Sequence, residues 1–407
     1  MCGGRDMNVL IADKFSEENI ERIKELGCAV VYEQSLDGAS LLERLHEQRP
    51  DVLVVRSTVV SGEMIASTPS LSLIIRAGSG FNTIDVKTAS ERSVYVANCP
   101  GKNSIAVAEL AFGLLLSIDR RIPDNVIQLR EGRWNKKEFS KAGGIYGKTL
   151  GVIGVGRIGR EMIARATAFG MKVVAWSRSL TPEKADELEV EHMRTPIDVA
   201  RRADAVSVHV ALSEDTRKMI GKEFFDAMKE GAFFINTSRA EVVDQDALKD
   251  AVEKKRIYAG LDVFDNEPAQ KQGAFADEIG GYERVYGTHH IGASTDQAQS
   301  AVADETLRIL TEYRRTGYVH NCVNFLEKTP ASFVLSVHHR NRVGVLAGVL
   351  DIIREASINV EIMENTIFQG GDGACARIQI DGMLKEEDIR RIEESSENIF
   401  SVSQVKI

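Results

Sequence analysis

Apolar and polar positions follow two rhythms along this chain, and the switches between them mark out its elements. From residue 7 to residue 97, short β-branched runs at 7–12, 29–32, 52–56, 73–76 and 94–97 read as strands. Between them, residues 16–26 and 41–48 space their apolar side chains three and four apart, as a one-sided helix does. This strand–helix alternation predicts a parallel sheet flanked by helices. Asn103-Ser104 then offers a helix cap ahead of an Ala/Leu-rich helix to about Ile118. A polar stretch, 120–147, rich in Lys and Arg and carrying Trp134, follows it. The alternation resumes from Lys148 to about Gly287, with strands expected at 149–153, 172–176, 205–210, 232–236 and 258–263. These are apolar nearly throughout, as in a parallel sheet covered on both faces. Residues 300–315 read as a helix that returns the chain to the first region, and Asn321, Asn324, Thr329 and Pro330 mark a linker. The remainder reads β (333–337), α (343–356), β (360–366), β (374–380), α (385–395), β (401–405), a split βαβ module.

Composition narrows the function classes. A chain of 407 residues has room for two or three domains. The 51 Lys and Arg against 60 Asp and Glu leave a formal charge of −9, which disfavours nonspecific nucleic-acid binding. The longest uncharged apolar run, 110–118, is about half of the ~18 residues a membrane helix needs. Arg5, Asp6, Asp13 and Lys14 stand where a signal peptide would be apolar. The five cysteines (Cys2, Cys28, Cys99, Cys322, Cys375) are widely spaced, with no C-x-x-C pair. That argues against a disulfide framework or a metal site and fits a reducing cytoplasm.

The first chemistry-bearing motif is Gly154-Val155-Gly156-Arg157-Ile158-Gly159, a G-x-G-x-x-G placed after a strand and opening a helix to about Phe169. The first glycine permits a tight turn, the second lets a pyrophosphate approach the backbone, and the third allows close helix–strand packing. Such a loop at a positive helix end predicts dinucleotide binding. The next strand ends Trp176-Ser177-Arg178 rather than in the acidic residue that grips an adenosine ribose, so Ser177 and Arg178 leave NAD and NADP both open. Three further polar positions follow later strands: Arg239, then Asp262 and Glu267, then His290. Ligands in open α/β sheets bind beyond the carboxyl ends of the strands. An arginine to clamp a carboxylate, a histidine to move a proton and a carboxylate to orient that histidine together match hydride transfer to or from a hydroxy acid.

These residues carry a resemblance that spans nearly the whole chain. Arg76-Ala77-Gly78-Ser79-Gly80-Phe81-Asn82, Asn103 ahead of Val107-Ala108-Glu109-Leu110, the glycine fingerprint and the Arg239/Glu267/His290 set resemble the D-isomer-specific 2-hydroxyacid dehydrogenases, in the form that carries a C-terminal ACT regulatory domain. The resemblance implies an α/β protein with a Rossmann dinucleotide-binding domain (101–289), a flavodoxin-like substrate domain (1–100, completed by 290–325) and a βαββαβ ACT domain (331–407). It implies that Arg239 binds the substrate carboxylate and carbonyl, His290 is the acid–base, Glu267 supports it, and Asp262 meets the nicotinamide carboxamide. Arg56, Ser57, Gly80 and Asn103 would face the substrate's anionic ends, and Lys136 would reach a neighbouring subunit's site in a homo-oligomer. The implied reaction is NAD-dependent oxidation of 3-phospho-D-glycerate to 3-phosphohydroxypyruvate in L-serine biosynthesis. His339, Asn341 and Asn359 fall where related ACT domains hold L-serine as an allosteric inhibitor. The chain departs from the family pattern at His289 (usually Pro), Ala240 (Gly), Ser177 (Asp), Val343 (Pro) and Arg340 (acidic). Two rivals stay open: a glyoxylate or hydroxypyruvate reductase, and an NAD(H)-sensing corepressor-like binding protein.

Overall fold

Sixteen strands gather into three sheets in the computed structural model, which describes residues 7–268, 273–326 and 328–407. Strands β1 (Met7–Ile11), β2 (Cys28–Tyr32), β3 (Val52–Val55), β4 (Leu73–Arg76) and β5 (Tyr95–Asn98) form an all-parallel sheet in the order β2-β1-β3-β4-β5. That is the flavodoxin-like order, with its switch point between β1 and β3. The second parallel sheet holds β6 (Thr149–Ile153), β7 (Lys172–Trp176), β8 (Glu191–His192), β9 (Ala205–Val208), β10 (Phe233–Asn236), β11 (Tyr258–Leu261) and β12 (Val285–Gly287). Its order, β12-β11-β10-β9-β6-β7-β8, is the doubly wound order with one added edge strand. Both switch points put the loops after β1, β3, β6 and β9 where ligands bind.

Burial explains why the alternation was readable. Every residue of β3, β6 and β9 is buried, as strands covered by helices on both faces must be. Leu307, Ile309 and Leu310 of the helix Asp296–Thr316 join Val9, Ile11, Val52, Val54 and Ile75 in one apolar cluster, so the chain returns to the first sheet after completing the second. That helix begins four residues ahead of its expected start because Thr295 accepts a hydrogen bond from the Ala298 amide. The polar stretch 120–147, given no elements in the sequence reading, holds helices Ile122–Arg130 and Lys136–Phe139; neither buries a residue, so no apolar stripe announced them. Strand β9 stops at Val208 rather than 210; the His209 amide still donates to the Ile153 carbonyl, and its own carbonyl lies against Gly154.

Residues up to Asn324 form one compact unit and Phe325–Ile407 a second. The second is βαββαβ: β13 (Phe333–Arg340), a helix Val345–Glu355, β14 (Val360–Ile367), β15 (Gly373–Ile380), a helix Glu386–Glu394 and β16 (Ile399–Lys406). Its antiparallel sheet runs β14-β15-β13-β16 and packs Leu335, Val337, Ala376 and Ile378 against Val349 and Ile353. Among the described residues no helix is long and apolar enough to cross a membrane, and no cluster of metal-ligating side chains occurs. Cys28, Cys99, Cys322 and Cys375 are free thiols; Cys2 lies outside the described residues.

Candidate active site

The glycine loop is shaped by what its glycines would otherwise strike. Gly154 has φ +97°, and a Cβ there would stand 2.7 Å from the His209 carbonyl oxygen. At Gly159 a Cβ would stand 2.1 Å from the Gly154 carbonyl oxygen, so the helix Arg157–Ala168 can approach β6 only through a glycine. Gly156 differs: nothing lies within 4 Å of its Cβ position, which opens onto the first turn of that helix. The unpaired N–H groups and positive dipole end of this twelve-residue helix therefore border free space, and a pyrophosphate fits the cradle. Arg157 is exposed and donates to the Pro100 carbonyl on the segment joining the two sheets, and Ile158 is half-buried. At the end of β7, Ser177 is half-buried and Arg178 exposed, with Nη1 3.5 Å from Asp215 Oδ2.

The reacting groups come from three loops of the second sheet. Asn236 ends β10 and folds the turn after it: its side chain donates to the Arg239 carbonyl (3.0 Å) and accepts from the Ser238 amide (3.0 Å) and hydroxyl (2.7 Å). Arg239 thereby crosses to the first sheet, where Nη2 stands 2.4 Å from the position a Cβ on Gly80 would take. A side chain at Gly80 would push this guanidinium aside. His290 Nδ1 donates to Glu267 Oε2 at 2.7 Å, while Glu267 Oε1 accepts from the Phe264 amide at 3.0 Å. Burial alone would raise the Glu267 pKa, but the His290 and Phe264 donors and the Arg239 charge hold it below the usual carboxylate range. His289 is exposed and is not the histidine that Glu267 pairs with.

Asp262 is 1% exposed and holds the histidine loop. Its Oδ1 accepts from Thr288 Oγ1 (2.6 Å) and the Ile291 amide (2.8 Å), and its Oδ2 accepts from the Gly292 amide (2.8 Å). These bonds bracket His290, whose φ of +53° lies in the left-handed region that non-glycine residues avoid.

The first sheet supplies the facing wall. Asp13, just past β1, was not singled out in the sequence, yet its Oδ2 accepts from the amides of Arg56 (2.7 Å), Ser57 (3.0 Å) and Thr58 (3.0 Å), and Oδ1 accepts from Ser57 Oγ (3.0 Å). Burial works against its charge, but these donors prevail and keep its pKa low. Arg56, so positioned, extends Nη2 to within 3.5 Å of the Ala293 carbonyl, beside the histidine loop. Ser79, between Gly78 and Gly80, donates to Asn103 Oδ1 (2.7 Å) and ties this loop to the start of the helix Ser104–Arg120. Arg76, quoted above only as part of a motif, also turns toward this wall. For both residues the available signal was a polar side chain closing an apolar strand.

Other expected residues lie apart. Lys136 begins the exposed helix Lys136–Phe139, beside a depression of about 270 Å³ lined by Leu129, Arg133 and Trp134, and forms no hydrogen bond or ion pair with Arg239, Glu267 or His290. In the second unit, His339 is 1% exposed: Nδ1 donates to the Arg340 carbonyl (2.8 Å) and Nε2 faces the Asn365 side-chain amide (3.1 Å). The ring faces inward with Leu335 and Val337, as strand alternation sets it, and braces the strand end. Asn341 is held near Gly371 at that same end, by Nδ2 to the Gly371 carbonyl (3.3 Å). Asn359 precedes Val360, which pairs with Ile380 at the opposite end of the sheet from Arg340 and Gly373. One copy does not bring the three together.

The chain is similar to known dehydrogenases. Residues 112–292 match the family model of the D-isomer specific 2-hydroxyacid dehydrogenase, NAD binding domain. The chain is 37% identical over 376 residues to a D-3-phosphoglycerate dehydrogenase of Methanocaldococcus jannaschii, covering 92% of this chain and 67% of that one. It is 42% identical over 258 residues to a hydroxypyruvate reductase of Thermotoga maritima, covering 63% and 82% respectively. Among solved structures, a D-lactate dehydrogenase from Aquifex aeolicus complexed with NAD and lactic acid superposes with a TM-score of 0.67 at 25% identity, covering 79% of this chain and all of that one.

Proposed function

The chain belongs to the D-isomer specific 2-hydroxyacid dehydrogenase family, and from that premise we propose that it oxidises 3-phospho-D-glycerate to 3-phosphohydroxypyruvate with NAD, a step toward L-serine. The observation that carries the chemistry is the 2.7 Å bond between His290 and Glu267, set opposite Arg239. NAD supplies the acceptor for the C2 hydride when bound. Gly154, Gly156 and Gly159 with the helix start at Arg157 and Ile158 would hold its pyrophosphate, and Ser177 and Arg178 its ribose.

With Nδ1 committed to Glu267, His290 presents Nε2 to the substrate hydroxyl. Nε2 takes the hydroxyl proton as the C2–H electron pair departs, leaving the C2=O double bond. The Glu267 carboxylate stabilises the imidazolium so formed, and the same group returns the proton in the reverse direction. Arg239 clamps the C1 carboxylate through two N–H donors and polarises the C2 oxygen. Arg56, Ser57, Gly80 and Asn103 line the facing wall. Residues 1–100 with 290–325 act as the substrate domain and 101–289 as the dinucleotide domain.

The βαββαβ unit, 331–407, is an ACT domain that regulates the enzyme. Because Asn341 and Asn359 stand at opposite ends of one sheet, two antiparallel copies would bring them together around one L-serine, with His339 as a buried brace. A homo-oligomer is further supported by the exposed Ile122, Ile127, Leu129 and Trp134 on the surface that carries Lys136. A spectrophotometric assay of 3-phospho-D-glycerate against D-glycerate and glyoxylate, with NAD and NADP and with millimolar L-serine, tests all of this. Turnover of 3-phospho-D-glycerate with NAD, inhibited by serine and released by Asn359→Ala, is expected. Turnover confined to glyoxylate or hydroxypyruvate would move the chain to the reductases, the second reading that its similarity to a hydroxypyruvate reductase favours.

A further inference from the structure

Two opposite charges straddle the glycine loop. The second sheet runs β9-β6-β7, so the segments that follow β7 and β9 stand on either side of the turn 154–159 that follows β6. Next-nearest strands of a sheet lie about 10 Å apart. Arg178, past the end of β7, and Asp215, past the end of β9, close that gap, with Nη1 3.5 Å from Oδ2. The turn that presents Asp215 is itself built. Thr216 Oγ1 accepts from the Ser213 amide (2.7 Å) and donates to the Ala211 carbonyl (2.7 Å), and Leu212 packs against the core of this sheet.

An ion pair between side chains 86% and 82% exposed adds little to folding, so both charges are free to answer a ligand. In a fold of this kind the adenosine ribose takes its place at the end of the strand that follows the glycine loop and its helix, where a carboxylate bonds the hydroxyls. Strand β7 supplies none, since Trp176 is followed by Ser177 and Arg178. Asp215 brings a carboxylate to the same strand end from the other side of the loop, and Arg178 holds it there. A carboxylate accepts from ribose hydroxyls but opposes a 2′-phosphate, which carries about 1.5 to 2 negative charges at pH 7.

We propose that Asp215 is a cofactor-specificity residue: its carboxylate, lent from the loop after β9, accepts from the adenosine ribose hydroxyls in place of the acidic residue that β7 lacks, and disfavours NADP. This rests on the reading of the 154–159 loop as the NAD cradle. NADP has to draw Arg178 away from Asp215 and leave that carboxylate facing the phosphate. The test titrates the full-length wild type, Asp215→Asn and Glu214→Gln with NADH and with NADPH, followed by fluorescence, which needs no substrate. The wild type should bind NADH more tightly. Asp215→Asn should weaken NADH about three- to tenfold and strengthen NADPH by a similar factor, the scale of one charge-assisted hydrogen bond and one exposed like-charge contact. Glu214→Gln, on the same turn, should leave the ratio of the two affinities within about twofold, and high salt should shrink the NADPH gain of Asp215→Asn by screening. A wild type that prefers NADPH, an unmoved ratio in Asp215→Asn, or equal weakening of both cofactors would overturn the proposal. So would a ratio shift in Glu214→Gln as large as that in Asp215→Asn, because the effect would then belong to the net charge of the loop. Binding of neither cofactor by the wild type would sink the cradle reading and this proposal with it, an outcome distinct from a wild type that binds NADH and a variant whose ratio does not move.

Discussion

Replacing Asp262 by Asn tests whether the geometry of the acid–base histidine is held by a carboxylate it never touches. Asp262 offers two acceptor oxygens to three donors, the Thr288 hydroxyl and the amides of Ile291 and Gly292. An asparagine keeps one oxygen but turns an NH₂ group toward one of the two amides, leaving a buried donor opposed by a donor. A hydrogen bond to a charged group contributes about 1.5–3 kcal/mol, and the remaining bonds lose their charge assistance, so about 2–4 kcal/mol of loop stabilisation is at stake. His290, at φ +53°, has reason to relax once released, because the left-handed conformation is disfavoured by about 1–2 kcal/mol per residue. If chemistry requires the held loop, kcat should fall about 30- to 900-fold, at 1.36 kcal/mol per tenfold. NADH affinity, followed by fluorescence quenching, should stay within about threefold. Gly292→Ala offers an independent push, since its Cβ would meet Asp262 Oδ2 at 3.0 Å; a smaller loss in the same direction is expected. An unchanged kcat with NADH binding weakened tenfold or more would refute the clamp and leave Asp262 a role at the nicotinamide alone.

Three other outcomes are expected. His290→Ala should lower kcat by ~10²–10⁴ with NADH binding retained, while His289→Ala stays within about threefold; the reverse pattern in steady-state rates would shift the assignment by one residue. Arg178→Ala should reduce kcat/KM for NADP about tenfold and leave that for NAD within about twofold, and equal values for the two proteins would show that Arg178 serves only its ion pair with Asp215. Glu305, bonded to Arg308 first and then to Lys102 and Asn321, has its pKa lowered from 4.5 to about 2. Its contribution, about 3 kcal/mol at most and less after screening of its half-exposed partners, is fully present above about pH 4.5 and lost as pH falls toward about 2. Denaturant unfolding of Glu305→Gln should therefore show a deficit at pH 7 that shrinks at pH 3; a pH-independent deficit would locate the effect in packing.

Much of the fold was legible because parallel strands buried on both faces write themselves as unbroken apolar runs. The four residues of β3 are Val-Leu-Val-Val, and all four are buried. Strands β8 and β12, two and three residues long, are too short to carry such a signal. The helix Ile122–Arg130 escaped for a different reason. Ile122, Val126, Ile127 and Leu129 are all exposed, so its apolar residues do not define a face toward any core within the chain. His339 shows what strand parity alone decides: it alternates inward with Leu335 and Val337, while His338 and Arg340 are exposed.

The site divides along the same line between local and distant information. The glycine loop is local: turn, open face and close packing each follow from one glycine within six residues, and the structure attaches a contact distance to two of them. What the sequence does not display is which carboxylate restrains which loop. Asp13 and Asp262 both follow apolar runs at strand ends and look alike on paper. In the folded chain each is nearly sequestered (4% and 1% exposed) and spends its lone pairs on the backbone of another segment, Asp13 across 43–45 residues and Asp262 across 26–30. One fixes the loop bearing the cation Arg56, the other the loop bearing the base His290. A buried aspartate is tolerated at such a position only when donors satisfy it. Loop amides just beyond the neighbouring strands' ends are the donors within reach in a parallel sheet. An aspartate closing an apolar strand beside a switch point is therefore expected to hold an adjacent functional loop, and Asp13→Ala should disturb substrate affinity as Asp262→Asn disturbs turnover.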